Sequence, residues 1–230
     1  METGEPEIFA TVQGEGTSAG MPCVFVRLAE CNLRCEWCDT KYTWDWKSYD
    51  RMRETMELEI EDIVSRVLAA AGPNVRRAVF TGGEPLIQQD DLATLAAILR
   101  GHGFRLEVET NGTLAPSAEL AEQIDQWNVS PKLATSGNGD RARRRPAVLG
   151  WFAARPNAIF KFVMTSDADI AEAMGLVPDV PKERIVWSPE GTDARTLAER
   201  SQWLAEACTS QGVRLGTRLH VFVWGGGRGK

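Results

Sequence analysis

Short apolar runs, rich in β-branched and aromatic side chains, alternate along the chain with longer stretches whose apolar positions follow a helical repeat. Residues 24–28 (VFVRL), 78–80, 106–109, 127–129, 159–163 and 184–187 read as six strands. Between most of them lie amphipathic segments at 58–71, 91–102, 118–126, 167–174 and 194–211, opened or closed by Asp, Ser, Gly or Pro. Strand and helix in alternation predict a parallel sheet with right-handed crossovers. A last apolar run, Leu219–Trp224, predicts a seventh strand ahead of a Gly-rich tail at 225–230. Six βα units fall short of the eight that a full TIM barrel fits into roughly 250 residues. The expected fold is therefore an open, partial TIM-like βα barrel, with a doubly wound sheet as the alternative. No repeat or long linker divides residues 1–230, and one domain is expected. The polar stretch 136–140 and the basic run Arg141-Ala142-Arg143-Arg144-Arg145 read together as a solvated surface loop.

Composition narrows the function classes. With 43% hydrophobic and 25% charged residues the chain matches ordinary globular usage, which excludes disorder and collagen-like repeats. Its 26 basic residues against 32 acidic ones give a net charge of −6, the wrong sign for direct nucleic-acid binding. No 18-residue apolar window and no secretory-type start is present, so a cytoplasmic protein without a membrane partner is expected.

An odd count of five cysteines argues against a disulfide framework in a reducing compartment. Cys31, Cys35 and Cys38 stand as C-x3-C-x2-C just beyond the first predicted strand. Three thiolates so spaced can wrap one corner of an iron–sulfur cube, and since full ligation takes four, one iron is left open. Structural zinc would want a fourth Cys or His, and only the distant His102 and His220 are available. Cys23, inside a strand, and Cys208, in the last long helix, read as small buried hydrophobes. The motif Thr81-Gly82-Gly83-Glu84-Pro85 follows another strand end, where paired glycines allow a ligand to approach the backbone. Further polar signals at 109–112, 130–132, Lys161 and 188–191 fall on the same rim, the carboxyl end of a parallel sheet where ligands bind. Lys161 alternates with Phe160 and Phe162 and is expected to point into the cavity.

The cysteine motif with the Gly-Gly-Glu-Pro segment resembles the radical S-adenosylmethionine superfamily. Three further segments, residues 8–16 (IFATVQGEG), 25–28 (FVRL) and 37–44 (WCDTKYTW), are similar to its 7-carboxy-7-deazaguanine synthase family. Ser130-Pro131-Lys132 and the terminal run extend that resemblance over nearly the whole chain. It implies a [4Fe–4S] cluster on Cys31, Cys35 and Cys38, with adenosylmethionine contacted by Trp37, Cys38, Asp39, Gly83, Glu84, Ser130, Pro131 and Lys132. It implies a pterin substrate held by Val12, Gln13, Gly14, Glu15, Arg27, Thr81 and the terminal Lys230, and Mg2+ on Thr40. The implied reaction contracts 6-carboxy-5,6,7,8-tetrahydropterin to 7-carboxy-7-deazaguanine with loss of ammonia, on the route to queuosine and related deazapurines. A flavodoxin- or ferredoxin-type reductant and a homodimer are implied with it. No side chain is assigned a catalytic role, because the cofactor radical carries the chemistry. Arg27 can fork onto the pterin carboxylate, or else serve as an ion pair at a strand end. Trp37, Trp44 and Trp46 read equally as core or as a set that shields the cluster or stacks on adenine. The alternative function is a glycyl-radical activating enzyme, for which Gln13-Gly14-Glu15 and Arg27 have no evident use.

Overall fold

The computed structural model describes residues 5–229. Strands β1 (Ile8–Val12), β2 (Pro22–Leu28), β3 (Arg77–Gly82), β4 (Arg105–Thr110), β5 (Gln126–Val129), β6 (Ala158–Met164), β7 (Ile185–Pro189) and β8 (Arg214–Leu215) form one sheet in chain order. β2 to β8 are parallel, and β1 runs antiparallel to β2. β1 and β8 sit at opposite ends of the order, so the barrel is open. All six predicted strands are present. Two more, β1 and the two-residue β8, carry no clean apolar alternation: β1 is half-buried throughout apart from exposed Ala10, and β8 is exposed.

Helices α1 (Arg51–Glu54), α2 (Ile60–Ala71), α3 (Gln89–Gly101), α4 (Ala118–Gln123), α5 (Asp140–Arg143), α6 (Pro146–Ala153), α7 (Ala168–Leu176), α8 (Ala194–Gln211) and α9 (Leu219–Trp224) complete the chain. Their ends follow side-chain capping: Ser117 accepts from Leu120 N before α4, and Asp193 from Thr196 N before α8, which Gly212 closes at φ +71°. One expectation is corrected and one is refined. Leu219–Trp224 is a helix, not a strand; a short unbroken apolar run does not distinguish the two, and β8 already occupies the sheet edge beside β7. Residues 136–146 lie at the surface as expected, with Arg141, Arg144 and Arg145 exposed, but α5 forms there and Arg143 is buried between Asp140 and Glu172.

Strand alternation separates two interiors. Val24, Val26, Ala78, Phe80, Leu106, Val108, Trp127, Val129, Phe160 and Phe162 face outward against Val67, Leu95, Leu99, Leu120 and Leu204 of the helices, and this layer is the apolar core. The other face carries Arg27, Thr81, Glu107, Glu109, Gln126, Asn128 and Lys161 among Phe25, Val79 and Val163, so the polar groups of the sheet are gathered in the barrel interior. The β1–β2 loop, residues 13–21, fills it from one side. At its far end Ser18 Oγ donates to Glu107 Oε1 at 2.7 Å, while Gln126 Nε2 donates to Thr17 Oγ1 at 3.0 Å. Glu107, wholly buried, also receives Arg77 and Asn128 Nδ2. Glu107→Leu leaves Arg77 without its counter-charge, and breaking such a pair costs about 3–5 kcal/mol. Urea unfolding of this variant is expected to show that loss; a change within about 0.5 kcal/mol, the size of an ordinary surface substitution, rules the brace out.

Candidate active site

One cavity opens at the carboxyl ends of the strands, and nearly every rim segment singled out in the sequence reaches it. Register does part of this work: Arg27 pairs with Thr81 across β2 and β3, and Phe80 with Val108 across β3 and β4, which sets Thr81 level with Glu109. Cys31, Cys35 and Cys38 border the cavity on one side. Among the described residues no three Cys, His, Asp or Glu side chains converge on a single ion. A cube takes each cysteine on a different iron, whereas structural zinc gathers four ligands on one ion, for which no other Cys or His stands beside these three in the cavity lining except His220, from the far end of the chain. The donor set fits a three-cysteine cluster. Burial pushes the Cys31 thiol up to about 11. Cys23 and Cys208 are buried in the fold, as expected, with thiols pushed up by burial to about 12 and about 11.

The paired glycines have a use the sequence did not suggest. Gly83 N donates to Leu28 O at 3.0 Å and Glu84 N to Glu30 O at 2.8 Å, so these amides are engaged by the protein itself. A Cβ on Gly83 would stand 1.9 Å from Glu30 O and 3.1 Å from Cys31 Cβ. The glycines let the end of β3 lie directly against the start of the cysteine loop, where Glu30 takes a positive φ of 72°. Glu84 does not border the cavity. It is wholly buried, accepting from Thr110 Oγ1 at 2.8 Å, Asn111 N at 2.7 Å and Leu86 N at 3.1 Å, and it joins the ends of β3 and β4. Pro131 is also buried away from the opening, between Ser130 and Lys132, which both border it.

Opposite the thiols lies a charged half. Val12, Gln13, Gly14 and Glu15 border it at the near end of the β1–β2 loop. Gln13 Nε2 donates to Glu109 Oε1 at 3.2 Å, its Oε1 accepts from Glu15 N at 3.1 Å, and Thr81 Oγ1 donates to Glu109 Oε2 at 2.6 Å. Glu15 meets Lys161 and, at 3.0 Å, Arg218 Nε. Arg218 also pairs with Asp39 and donates to Gly191 O. Burial pushes the Glu15 carboxyl up, but the charges of Lys161 and Arg218 outweigh it and hold the group well below the usual carboxylate range. Lys161, for which burial acts the other way, is raised by Glu15 and Glu109. Burial lowers His220 from its usual value.

Arg27 borders the cavity while its Nε pairs with Glu7, which also accepts from Tyr42 OH at 3.0 Å. The ion-pair reading of Arg27 is thus present, at a residue that also borders the cavity. Thr40 borders the opening with its hydroxyl 3.6 Å from Cys38 Sγ. Trp37 Nε1 donates to Thr135 O at 3.0 Å and its ring lies 5.7 Å from Lys132 Nζ. Trp44, largely buried, lines the cavity beside Cys38, and Trp46 Nε1 reaches Glu30 at 3.4 Å. Lys230 lies outside the described residues. Two residues before it, Arg228 pairs with Glu54 and stacks 3.4 Å over the Tyr42 ring, so this part of the tail is docked.

Sequence reasoning missed Arg218 and His220. Leu219 N donates to Gly14 O at 2.8 Å, and a Cβ on Gly14 would stand 2.1 Å from His220 Nδ1. The only signal was a cation and an imidazole at alternate positions where the apolar run begins.

The family model that matches describes the radical SAM superfamily, over residues 27–134. The chain is 40% identical over 227 residues to the 7-carboxy-7-deazaguanine synthase of Pyrobaculum aerophilum, covering 97% of this chain and 96% of that protein. It is 36% identical to the same-named enzyme of Halobacterium salinarum, with 95% and 89% covered. Among solved structures, QueE from Escherichia coli superposes with a TM-score of 0.68 at 27% identity, over 94% of this chain and 93% of that one.

Proposed function

Because the chain belongs to the 7-carboxy-7-deazaguanine synthase family of radical S-adenosylmethionine enzymes, we propose that it contracts 6-carboxy-5,6,7,8-tetrahydropterin to 7-carboxy-7-deazaguanine with loss of ammonia. The observation that carries this is the meeting, in one cavity, of the three-cysteine loop with Gln13, Glu15, Arg27 and Thr81 from three separate strand ends. When bound, the cluster and adenosylmethionine supply a deoxyadenosyl radical that takes hydrogen from the substrate.

The protein's part is to bind and orient. Cys31, Cys35 and Cys38 hold the cluster; Trp37, Asp39, Gly83, Ser130 and Lys132 border the space for adenosylmethionine, while Glu84 and Pro131 brace it from behind. The amino-pyrimidinone edge of a pterin presents N–H donors, for which Glu109 and the backbone at 12–14 offer acceptors. Arg27, with Nε held by Glu7, presents the rest of its fork to the pterin carboxylate. Thr40, at the border of the two halves, is our assignment for Mg2+, and Lys230 our assignment for a terminal substrate contact. The chain works as one domain, as a homodimer in the cytoplasm, reduced by a flavodoxin- or ferredoxin-type protein. Among the described residues no helix is long and apolar enough to cross a membrane.

Anaerobic reconstitution followed by addition of adenosylmethionine, dithionite, Mg2+ and 6-carboxytetrahydropterin is expected to yield 7-carboxy-7-deazaguanine by mass spectrometry. Deoxyadenosine without the deazaguanine would overturn the substrate and return the glycyl-radical alternative. Arg27→Ala removes a charge-assisted contact of about 1.5–3 kcal/mol, so KM for the pterin is expected to rise roughly 10- to 150-fold with that for adenosylmethionine little changed. Equal changes in both constants would remove Arg27 from the substrate side.

A further inference from the structure

Each thiol of the cysteine loop meets an N–H donor. Leu33 N lies 3.5 Å from Cys31 Sγ, Asn138 Nδ2 3.3 Å from Cys35 Sγ, and Trp44 Nε1 3.3 Å from Cys38 Sγ. The first is backbone within the loop. The other two are side chains whose placement the protein arranges from elsewhere, Asn138 from 103 residues along the chain.

Asn138 is fixed in both orientation and position. Its Oδ1 accepts from Arg34 N at 2.8 Å, which leaves the amide nitrogen to face the sulfur. Its carbonyl accepts from Arg143 Nε at 3.1 Å, and Arg143 is anchored by Asp140 and Glu172. Before it, Gly137 takes φ +78°, and a Cβ there would stand 2.6 Å from Glu36 Oε1. Glu36 N in turn donates to Ser136 O at 3.0 Å, so this segment is laid along the cysteine loop. Trp44 is held from the other side, with the Arg34 guanidinium 4.7 Å over its ring. Arg34 thus supports both donors, one through its backbone and one through its side chain.

We propose that Asn138 and Trp44 are positioning residues that set the reduction potential of the cluster. The inference rests on the three-cysteine cluster assigned above. One-electron reduction, [4Fe–4S]2+ to [4Fe–4S]1+, adds a negative charge shared with the thiolate sulfurs; the electron comes from a low-potential one-electron donor, which is oxidised by one, and no bond or proton changes. A fixed N–H aimed at sulfur stabilises the more negative state and raises the potential. Asn138 and Trp44 therefore ease electron entry at two corners of the cluster.

The test is an EPR-monitored redox titration of the reconstituted protein, without pterin, for the unaltered chain, Asn138→Leu, Trp44→Phe and the double variant at matched iron content. Each single variant is expected to have a more negative midpoint, the double variant a still more negative one, and reductive cleavage of adenosylmethionine by dithionite to slow in the same order. Unchanged midpoints in both single variants overturn the proposal. Should Asn138→Leu fail to assemble its cluster, Trp44→Phe decides alone, since it leaves the 134–143 segment intact. The titration contains no pterin, so failure to make deazaguanine leaves this inference standing, and unchanged midpoints in a protein that makes it remove this inference alone.

Discussion

Replacing any one of Cys31, Cys35 or Cys38 by alanine is expected to take iron content and product formation down to background, whereas Cys23→Ala and Cys208→Ala retain both. The asymmetry follows from placement. The first three thiols border the cavity, each beside its own donor, and a cube already one ligand short of full cysteine coordination is left with two. Cys23 and Cys208 lie in packed interiors, where truncation to alanine removes one sulfur's contacts and costs about 1 kcal/mol of stability. Iron analysis and the anaerobic product assay on the five single variants read this directly. Loss of iron from Cys208→Ala equal to that from Cys35→Ala would end the three-ligand assignment.

The second large effect is expected at Glu15. Its side chain, like those of Lys161 and Arg218, is only about 15% exposed, so Glu15→Gln leaves two nearly buried cations facing each other. Removing one partner from a buried ionic cluster costs about 3–5 kcal/mol, and the loop carrying Gln13 shifts with it. A misplacement of about 1 Å at the substrate costs on the order of 10²-fold in turnover. The pH dependence carries the same signature. The folded chain keeps Glu15 ionised at pH values where the unfolded chain protonates it, so the stability it contributes is complete above the usual carboxylate range and is lost as pH falls through and below it. Unfolding midpoints measured from pH 7 down to pH 3 should fall less steeply for Glu15→Gln than for the unaltered chain. Parallel curves would show that Glu15 is not the group that titrates.

Much of this was legible in the sequence because it is locally encoded. The period-two burial of β6 put Lys161 on the cavity side between Phe160 and Phe162, and the cysteine spacing placed a metal site at one strand end. What escaped was set by pairings between distant segments. Glu109 read as one polar signal among several, since nothing near it announces that Gln13 and Thr81 both donate to it. Arg143 sat inside a run of arginines that composition assigns to solvent, and only Glu172, on a helix far along the chain, makes it a buried anchor. The glycines at 82 and 83 were recognised as a site of close approach, but what approaches is the backbone of residues 28–30.

The contact between Glu15 and Arg218 spans 203 residues, and Leu219 N closes onto Gly14 O beside it. Strands β2 to β7 pair in the order in which the ribosome delivers them, so the sheet and the cysteine loop can assemble while translation continues. The charged half cannot, because Arg218, one of the two cations on Glu15, follows all of these strands in the chain. A nascent chain stalled before residue 218 would thus hold its cysteine loop in place beside an unfinished charged half of the cavity.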